Sequence, residues 1–243
     1  MRKLFFVLIT SLFILQSCNV NSEIVFHKDA TSTSVTDIDM KQFIAEMKAA
    51  TPDSLNEYSD LDKFPSAWTN LQELEQKSRE VKDTNPEHIR IMKKIFMKTN
   101  RENDEPTGVS LKTEYFTQDD YSILSHYIKV ERLPVDQNIF NLWDGKTLTI
   151  NTENFNLKNI EASIISKASR DNPQKMESMM MMFFNSISTN LKFEKKIKSI
   201  TGKHDWLKQI DDYTLKISYN LKALYEQETA LKNADKNIVI VTE

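Results

Sequence analysis

The sequence predicts an α+β fold, a largely antiparallel β-sheet covered by helices. Runs with strand character arrive in adjacent pairs. Stretches with helical spacing interrupt those pairs. The regular β-α-β alternation that a parallel sheet requires is absent, and no internal repeat of fixed period is present.

Ile24-Val25-Phe26 reads as a strand, His27-Lys28-Asp29-Ala30 as a turn, and the β-branched run Thr31 to Ile38 as the returning strand of a hairpin. Asp39, with Gln42 three residues on, has the form of a capping box. Met40, Phe43, Ile44 and Met47 follow at helical spacing. They open a helical block near 40–100. In it Pro65 is expected to start a helix bearing Trp68, Leu71, Leu74 and Val81. Asn85-Pro86 caps another, with Ile89, Met92, Ile95 and Phe96 on one stripe. Thr99 to Gly108 reads as a loop and a boundary between subregions.

From Val109 the pattern turns to strand, with Val109, Leu111 and Tyr115 alternating against polar neighbours. Thr117 caps a short helix whose first turn holds Asp119 and Asp120, as suits the helix dipole. Ile139–Trp143 and Thr147–Ile150 flank Asp144-Gly145, the signal of a type I′ hairpin. After Asn172-Pro173, Met176, Met179, Met180, Phe183 and Ile187 share a helical face. A strand would instead alternate Met180, Met182 and Phe184, and over 180–187 the spacing leaves both open. Strands are expected at Leu191, Phe193 and Ile197, and again at Leu215, Ile217 and Tyr219. Asn220 is expected to cap a helix with Leu221, Leu224, Tyr225 and Leu231. Ile238–Val241 is an unbroken β-branched run, the mark of a strand covered on both faces.

The start of the chain carries the clearest signal. Arg2-Lys3 precede an apolar run, Leu4 to Leu15, and Ser17 stands before Cys18, the single cysteine. The run is shorter than the roughly 20 residues a spanning helix needs, so it is the core of an export signal. Leu15-Gln16-Ser17-Cys18 resembles a bacterial lipoprotein signal. The resemblance implies cleavage before Cys18 and a diacylglycerol on its thiol. Two or more acyl chains anchor a protein stably, where one does not. The expected organisation is a signal peptide at 1–17, a short polar tether at 18–22 that adds nothing to the stability of the fold, and a single α+β domain at 23–243. With Cys18 acylated no disulfide forms, and packing alone must hold the body together.

Loss of Arg2 and Lys3 with the leader makes the net charge of −3 more negative by two. An acidic body is a poor general ligand for nucleic acid or anionic surfaces. Lys192, Lys195, Lys196 and Lys198 interleave with Phe193 and Ile197, which reads as the solvated side of a strand. The three glycines of the chain, Gly108, Gly145 and Gly202, stand apart, so a phosphate-cradling loop is excluded. His27, His88, His126 and His204 are scattered without metal-ligand spacing. The methionine run that includes Met181 and Met182 invites Cu(I), but it merges into Phe183 and Phe184, which favours packing in a core or groove. Asp119-Asp120 and Asp211-Asp212 are sequence neighbours whose side chains diverge, so neither pair makes a carboxylate dyad. His204-Asp205-Trp206 is expected to be a turn whose Trp206 folds back onto the core.

These observations point to a lipid-anchored protein of the cell envelope, at the outer membrane since Asn19 is not the Asp of an inner-membrane retention signal. It is expected to act as an interaction or scaffolding module without catalysis, cofactor or metal. Its expected contacts are the membrane, through the lipid on Cys18, and an envelope protein or a hydrophobic ligand. The second reading is a carrier of lipid-like molecules, with Met176, Met180, Phe183, Phe184 and Trp206 as candidate binding residues. The third is a hydrolase whose site is assembled from distant residues. The body also resembles small, uncharacterised lipoproteins of Gram-negative bacteria, a likeness that implies no activity.

Overall fold

The first described residue of the chain, Cys18, already lies in a strand at the middle of a sheet. The computed structural model describes residues 18–42, 44–45, 64–77, 84–127, 141–152, 184–220 and 231–243. In chain order these form β1 (Cys18–Phe26), β2 (Ser32–Asp39), β3 (Thr69–Asn70), α1 (Leu71–Lys77), α2 (Pro86–Met92), β4 (Ile95–Glu102), β5 (Glu105–Phe116) and α3 (Gln118–Tyr127). There follow β6 (Asn141–Trp143), β7 (Thr147–Asn151), β8 (Phe184–Phe193), β9 (Ile197–Thr201), β10 (Leu207–Gln209), β11 (Thr214–Asn220) and β12 (Asn237–Thr242).

Two sheets result. The larger has eight strands in the order β10-β11-β8-β1-β2-β5-β4-β3, and the smaller has four in the order β6-β7-β12-β9. All pairings are antiparallel except β1 with β8. Residues alternate across each strand, so Val20, Ser22, Ile24 and Phe26 of β1 turn inward while Asn19, Asn21, Glu23 and Val25 face the other way. Val20, Ile24 and Phe26 join Ile187, Leu191 and Phe193 of β8 and Leu215 and Ile217 of β11 in one core. The smaller sheet closes it with Trp143, Leu148, Ile150, Ile197, Ile238 and Ile240. Burying each such side chain contributes about 1.5–3 kcal/mol.

The α+β class and the antiparallel bias hold, while a covering layer of helices is not seen among the described residues. Among the described residues the apolar face of β11-β8-β1 is covered by the second sheet. Among the described residues α2 and α3 meet at the end of β5, where Ile91 and Leu124 pack with Phe116. These elements are short: α1 and α2 have seven residues each, and α3 has ten. The strand β12 buries Ile238 and Ile240 on one side and leaves Val239 and Val241 partly exposed, so it is covered on one face rather than both.

The expected tether at 18–22 is instead the first half of β1. Asn19 to Ser22 pair with Asp39 to Thr36 of β2 and with Ser186 to Thr189 of β8. Their polar character is satisfied across strands: Ser186 Oγ donates to Asn19 Oδ1 at 2.8 Å, Ser188 Oγ to Asn21 Oδ1 at 2.9 Å, and Ser22 Oγ meets Thr36 Oγ1 at 2.9 Å.

The helical block near 40–100 is mixed. Pro65 does not start a helix. Asn70 caps α1 by accepting the Glu73 N–H at 2.9 Å, and Trp68 lies outside it beneath the Lys98 and Lys112 ammonium groups. Asn85 caps α2 as expected, but the helix stops at Met92, and Ile95 and Phe96 begin β4. Thr99 to Gly108 is no loop. It is the tip of the β4–β5 hairpin, where Asn103 and Asp104 hold φ of 51° and 66°. Two consecutive left-handed residues match the right-handed twist of the flanking strands. Gly108 pairs with both Asp39 and Asn100, and an added Cβ there would lie 2.1 Å from the Ile38 carbonyl oxygen.

The β6–β7 hairpin forms where expected, with a different turn. Gly145 alone has positive φ, at 93°, and Asp144 works through its side chain, accepting the Lys146 and Thr147 N–H groups at 2.9 and 2.6 Å. A Cβ on Gly145 would also approach the Lys28 carbonyl oxygen to 2.9 Å. The variant Gly145→Val is therefore expected to lose roughly 1–3 kcal/mol, read as a fall in melting temperature. An unchanged melting curve would contradict this role for the turn.

Candidate functional site

Of the sequence-derived candidates, Cys18, Phe184 and Trp206 lie among the described residues. Cys18 opens β1, and its register partner in β8 is Phe184, so the backbone brings these two side by side. Met176, Met180 and Phe183 lie outside the described residues, as does the run from Met179 to Met182. Trp206 is elsewhere: its carbonyl accepts the Ser218 N–H on β11, which separates it from β8. It packs against the main core, as expected for a turn residue that folds back. Its ring meets His204 edge-on, with centroids 5.1 Å apart. Burial pushes the His204 imidazole below its usual value, partly offset by the Asp205 carboxylate. The lysines at 192 and 196 pair with Glu23 and Asp212 at 2.7 and 2.8 Å, as expected of a solvated strand side.

One polar cluster is built at the end of β1 remote from Cys18. Four chain segments meet there: the β1–β2 turn with the start of β2, the end of β8, β6 and the end of β5. The β1–β2 turn places His27, with its N–H donating to the Thr31 carbonyl and Ala30 in the left-handed region at φ 66°. Asp29 Oδ1 braces the turn by accepting from both Thr31 N and Thr31 Oγ1. From the end of β8, Glu194 donates its N–H to the Phe26 carbonyl. From β6, Trp143 Nε1 donates to the His27 carbonyl at 2.7 Å while its ring packs on Phe26 and Phe193.

The His27 ring is thereby fixed between an acid and a hydroxyl. Nδ1 lies 2.8 Å from Glu194 Oε1, and Nε2 lies 2.9 Å from Thr33 Oγ1. Glu194 Oε2 accepts the Lys28 N–H at 2.9 Å, which locks the carboxylate. The His27 bond and then the Lys28 N–H hold the Glu194 carboxyl below the usual glutamate range. Tyr115 stacks on the imidazole with centroids 5.1 Å apart, and 58% of it is exposed. Its backbone is left-handed at φ 48°, and its N–H approaches Thr33 Oγ1 at 3.4 Å. The β2–β5 register shifts between Ser32 and Ser34, which takes Thr33 out of regular pairing with β5.

The sequence gives no local sign of this cluster. His27 and Glu194 are 167 residues apart; the first reads as a turn residue and the second falls within the strand expected through Leu191, Phe193 and Ile197. The nearest signal is the adjacency of Phe26-His27 and Phe193-Glu194, each an apolar strand end followed by a titratable group.

A second cluster serves the fold. Asp120, in the first turn of α3, is 0% exposed and receives the Arg90 guanidinium and, at 2.7 Å, the Lys94 ammonium. It exchanges capping bonds with Thr117. Burial alone would raise its carboxyl pKa, and the bonds from Lys94, the Thr117 N–H and Arg90 outweigh that and hold it low. The expected role of dipole partner is therefore only part of what Asp120 does: it ties α2 and β4 to α3. Among the described residues no group of three or more His, Cys, Asp or Glu side chains is placed to hold a metal ion.

No family model matches the chain, and no curated protein matches it. Among solved structures it is similar in outline to the NMR structure of the folded domain of LppM from Mycobacterium tuberculosis. The identity is 8% and the TM-score 0.38, over 93% of this chain and 90% of that one. A likeness this distant assigns neither fold family nor activity.

Proposed function

We propose that the chain is a membrane-anchored lipoprotein of the cell envelope, acting as an interaction or scaffolding module. The observation that carries the reading is the position of Cys18, the lipidation residue of the signal, as the first residue of a central strand. An acylated Cys18 leads into the fold without a spacer, so the body sits directly on the lipid surface. The nine residues of β1 then act as a strut about 30 Å long, at roughly 3.3 Å per residue. Its far end presents His27, Tyr115 and Glu194 away from the membrane. Asn19 after the lipidated residue favours the outer membrane.

Lipidation is tested by Cys18→Ser. The variant is expected to lose incorporation of labelled fatty acid and to leave the membrane fraction. Continued labelling and continued pelleting with membranes would refute the reading.

A carrier of lipid-like molecules is the second reading, favoured by Thr189. This side chain is 1% exposed on the core face of β8, and its Oγ1 makes no hydrogen bond. Buried hydroxyls are rarely left so, and a ligand's polar head beside Val20, Ser22 and Ile187 would satisfy it. Native mass spectrometry of protein purified from its membrane distinguishes the two. Bound lipid beyond the covalent anchor supports the carrier, and its absence supports the module.

A further inference from the structure

We infer that Thr33, His27 and Glu194 form an acyl-transfer site that hydrolyses short carboxylic esters at the membrane-distal end of the protein. This goes beyond the anchored-module reading and does not depend on acylation of Cys18.

The connectivity is that of a nucleophile, a base and an orienting acid. A hydroxyl lies on Nε2 of one imidazole at 2.9 Å, and a carboxylate on its Nδ1 at 2.8 Å. With Glu194 ionised and accepting from Nδ1–H, the neutral ring has its lone pair on Nε2, directed at Thr33. This tautomer takes a proton from a hydroxyl. Glu194 is held in turn by the Lys28 N–H, so the acid cannot swing away without losing a second bond.

Three further features fit chemistry better than a latch between turns. Tyr115 adopts the left-handed backbone, a strained state for an aromatic residue. That backbone aims its N–H at Thr33 Oγ1 at 3.4 Å, so a donor stands beside the oxygen that an acyl group would join and would be within reach of the oxyanion formed there. The register shift at Thr33 separates it from β5. On the same face Val25 lies directly across from Thr33, with Val35 two residues on, which seats a short apolar acyl group. A single backbone donor stabilises an oxyanion less than a pair does, so the substrates are esters with good leaving groups.

The reaction has two halves. The Thr33 Oγ–H proton passes to His27 Nε2 as Oγ bonds to the acyl carbon. The bond to the leaving oxygen then breaks, and that oxygen takes the proton from Nε2. In the second half, water gives a proton to Nε2 and bonds to the acyl carbon, and the acyl–Thr33 bond breaks with the proton returning to Oγ. The products are a carboxylic acid and an alcohol, with the protein unchanged. Thr33 and His27 are the catalytic residues, and Glu194 positions the ring.

The test uses the full chain purified in detergent, a fluorophosphonate probe and p-nitrophenyl acetate. The native protein is expected to take up the probe at Thr33, located by peptide mass, and to lose that label when denatured first. Ester hydrolysis should fall at least about tenfold in Thr33→Val and His27→Gln, the scale of losing base catalysis. It should survive in Thr33→Ser, which retains the hydroxyl. In Glu194→Gln the pH profile of the rate should change at unchanged melting temperature. Two results would overturn the inference: a native protein that takes no label at residue 33, or a Thr33→Val variant that hydrolyses the ester like the wild type. If Thr33→Val does not fold, native labelling and the Thr33→Ser variant decide the matter alone.

Discussion

A chain that starts at Glu23 is expected to melt far below one that starts at Cys18. The segment removed is strand, paired on both sides. Val20 is 0% exposed in the main core, and its loss costs about 1.5–3 kcal/mol. Loss of the Ser22 hydroxyl leaves Thr36 without that partner and costs about 1 kcal/mol more. Removal of Asn19 and Asn21 also frees Ser186 and Ser188 on β8, and the ladder bonds of the segment are lost with them. A total of roughly 4 kcal/mol or more shifts the midpoint by at least about 8 °C, at 2–4 °C per kcal/mol for a chain of this size. Thermal unfolding of the two chains, both without lipid, measures the difference. The single substitution Val20→Ala should reproduce about 2 kcal/mol of it. Midpoints within 2 °C of each other would mean that residues 18–22 are the loose tether their composition predicts.

Asp120→Ala is expected to be the most damaging single change outside the main core. The carboxylate is fully buried and receives two cations and a backbone N–H. Removing one partner of a buried ion pair costs about 3–5 kcal/mol. Here the Arg90 and Lys94 side chains are 45% and 31% exposed and can turn to solvent, which lowers the expected loss to about 2–3 kcal/mol. The sign of the pH dependence follows from the low pKa of folded Asp120. Its contribution is fully present above the unfolded value of about 3.9 and is lost as pH falls through the folded value. Wild type and Asp120→Ala should therefore differ most at neutral pH, and the gap should close below about pH 4. Chemical denaturation at pH 7 and pH 3 measures it. A gap that widens in acid would show that Asp120 is not the charged partner of Arg90 and Lys94.

The sheet was legible wherever alternation is local. Thr147 to Ile150 and Leu215 to Tyr219 lie in strands, with Leu148, Ile150, Leu215 and Ile217 inward as their spacing indicates. Ser32 to Ile38 and Val109 to Tyr115 were legible as strands but not in their facing, since the buried side chains there are Ser32, Ser34, Thr36 and Ser110 while Tyr115 is 58% exposed. Asn19-Val20-Asn21-Ser22 was not legible, because three of its four side chains are polar and their partners Ser186, Ser188 and Thr36 lie far along the chain. The hairpin at Thr99–Gly108 was hidden by its turn. Asn103-Asp104 lacks the glycine that marks most such turns and fills both left-handed positions with residues that merely tolerate them. Ile95 and Phe96 continue the apolar stripe of α2, so spacing alone extends the helix into a strand. The His27 cluster depends on β1 and β8 being parallel neighbours. That pairing brings the two strand ends together, and no local pattern announces it.

The covalent state of residue 18 in the mature protein tests the anchored reading most directly. The measurement is the mass of the N-terminal peptide of protein purified from the membrane of its native host. The expected result is a chain beginning at Cys18 that carries a thioether-linked diacylglycerol and an acylated amino group. A chain that begins elsewhere, or at Cys18 with a free thiol, would contradict it and would leave β1 as the first strand of an unanchored body.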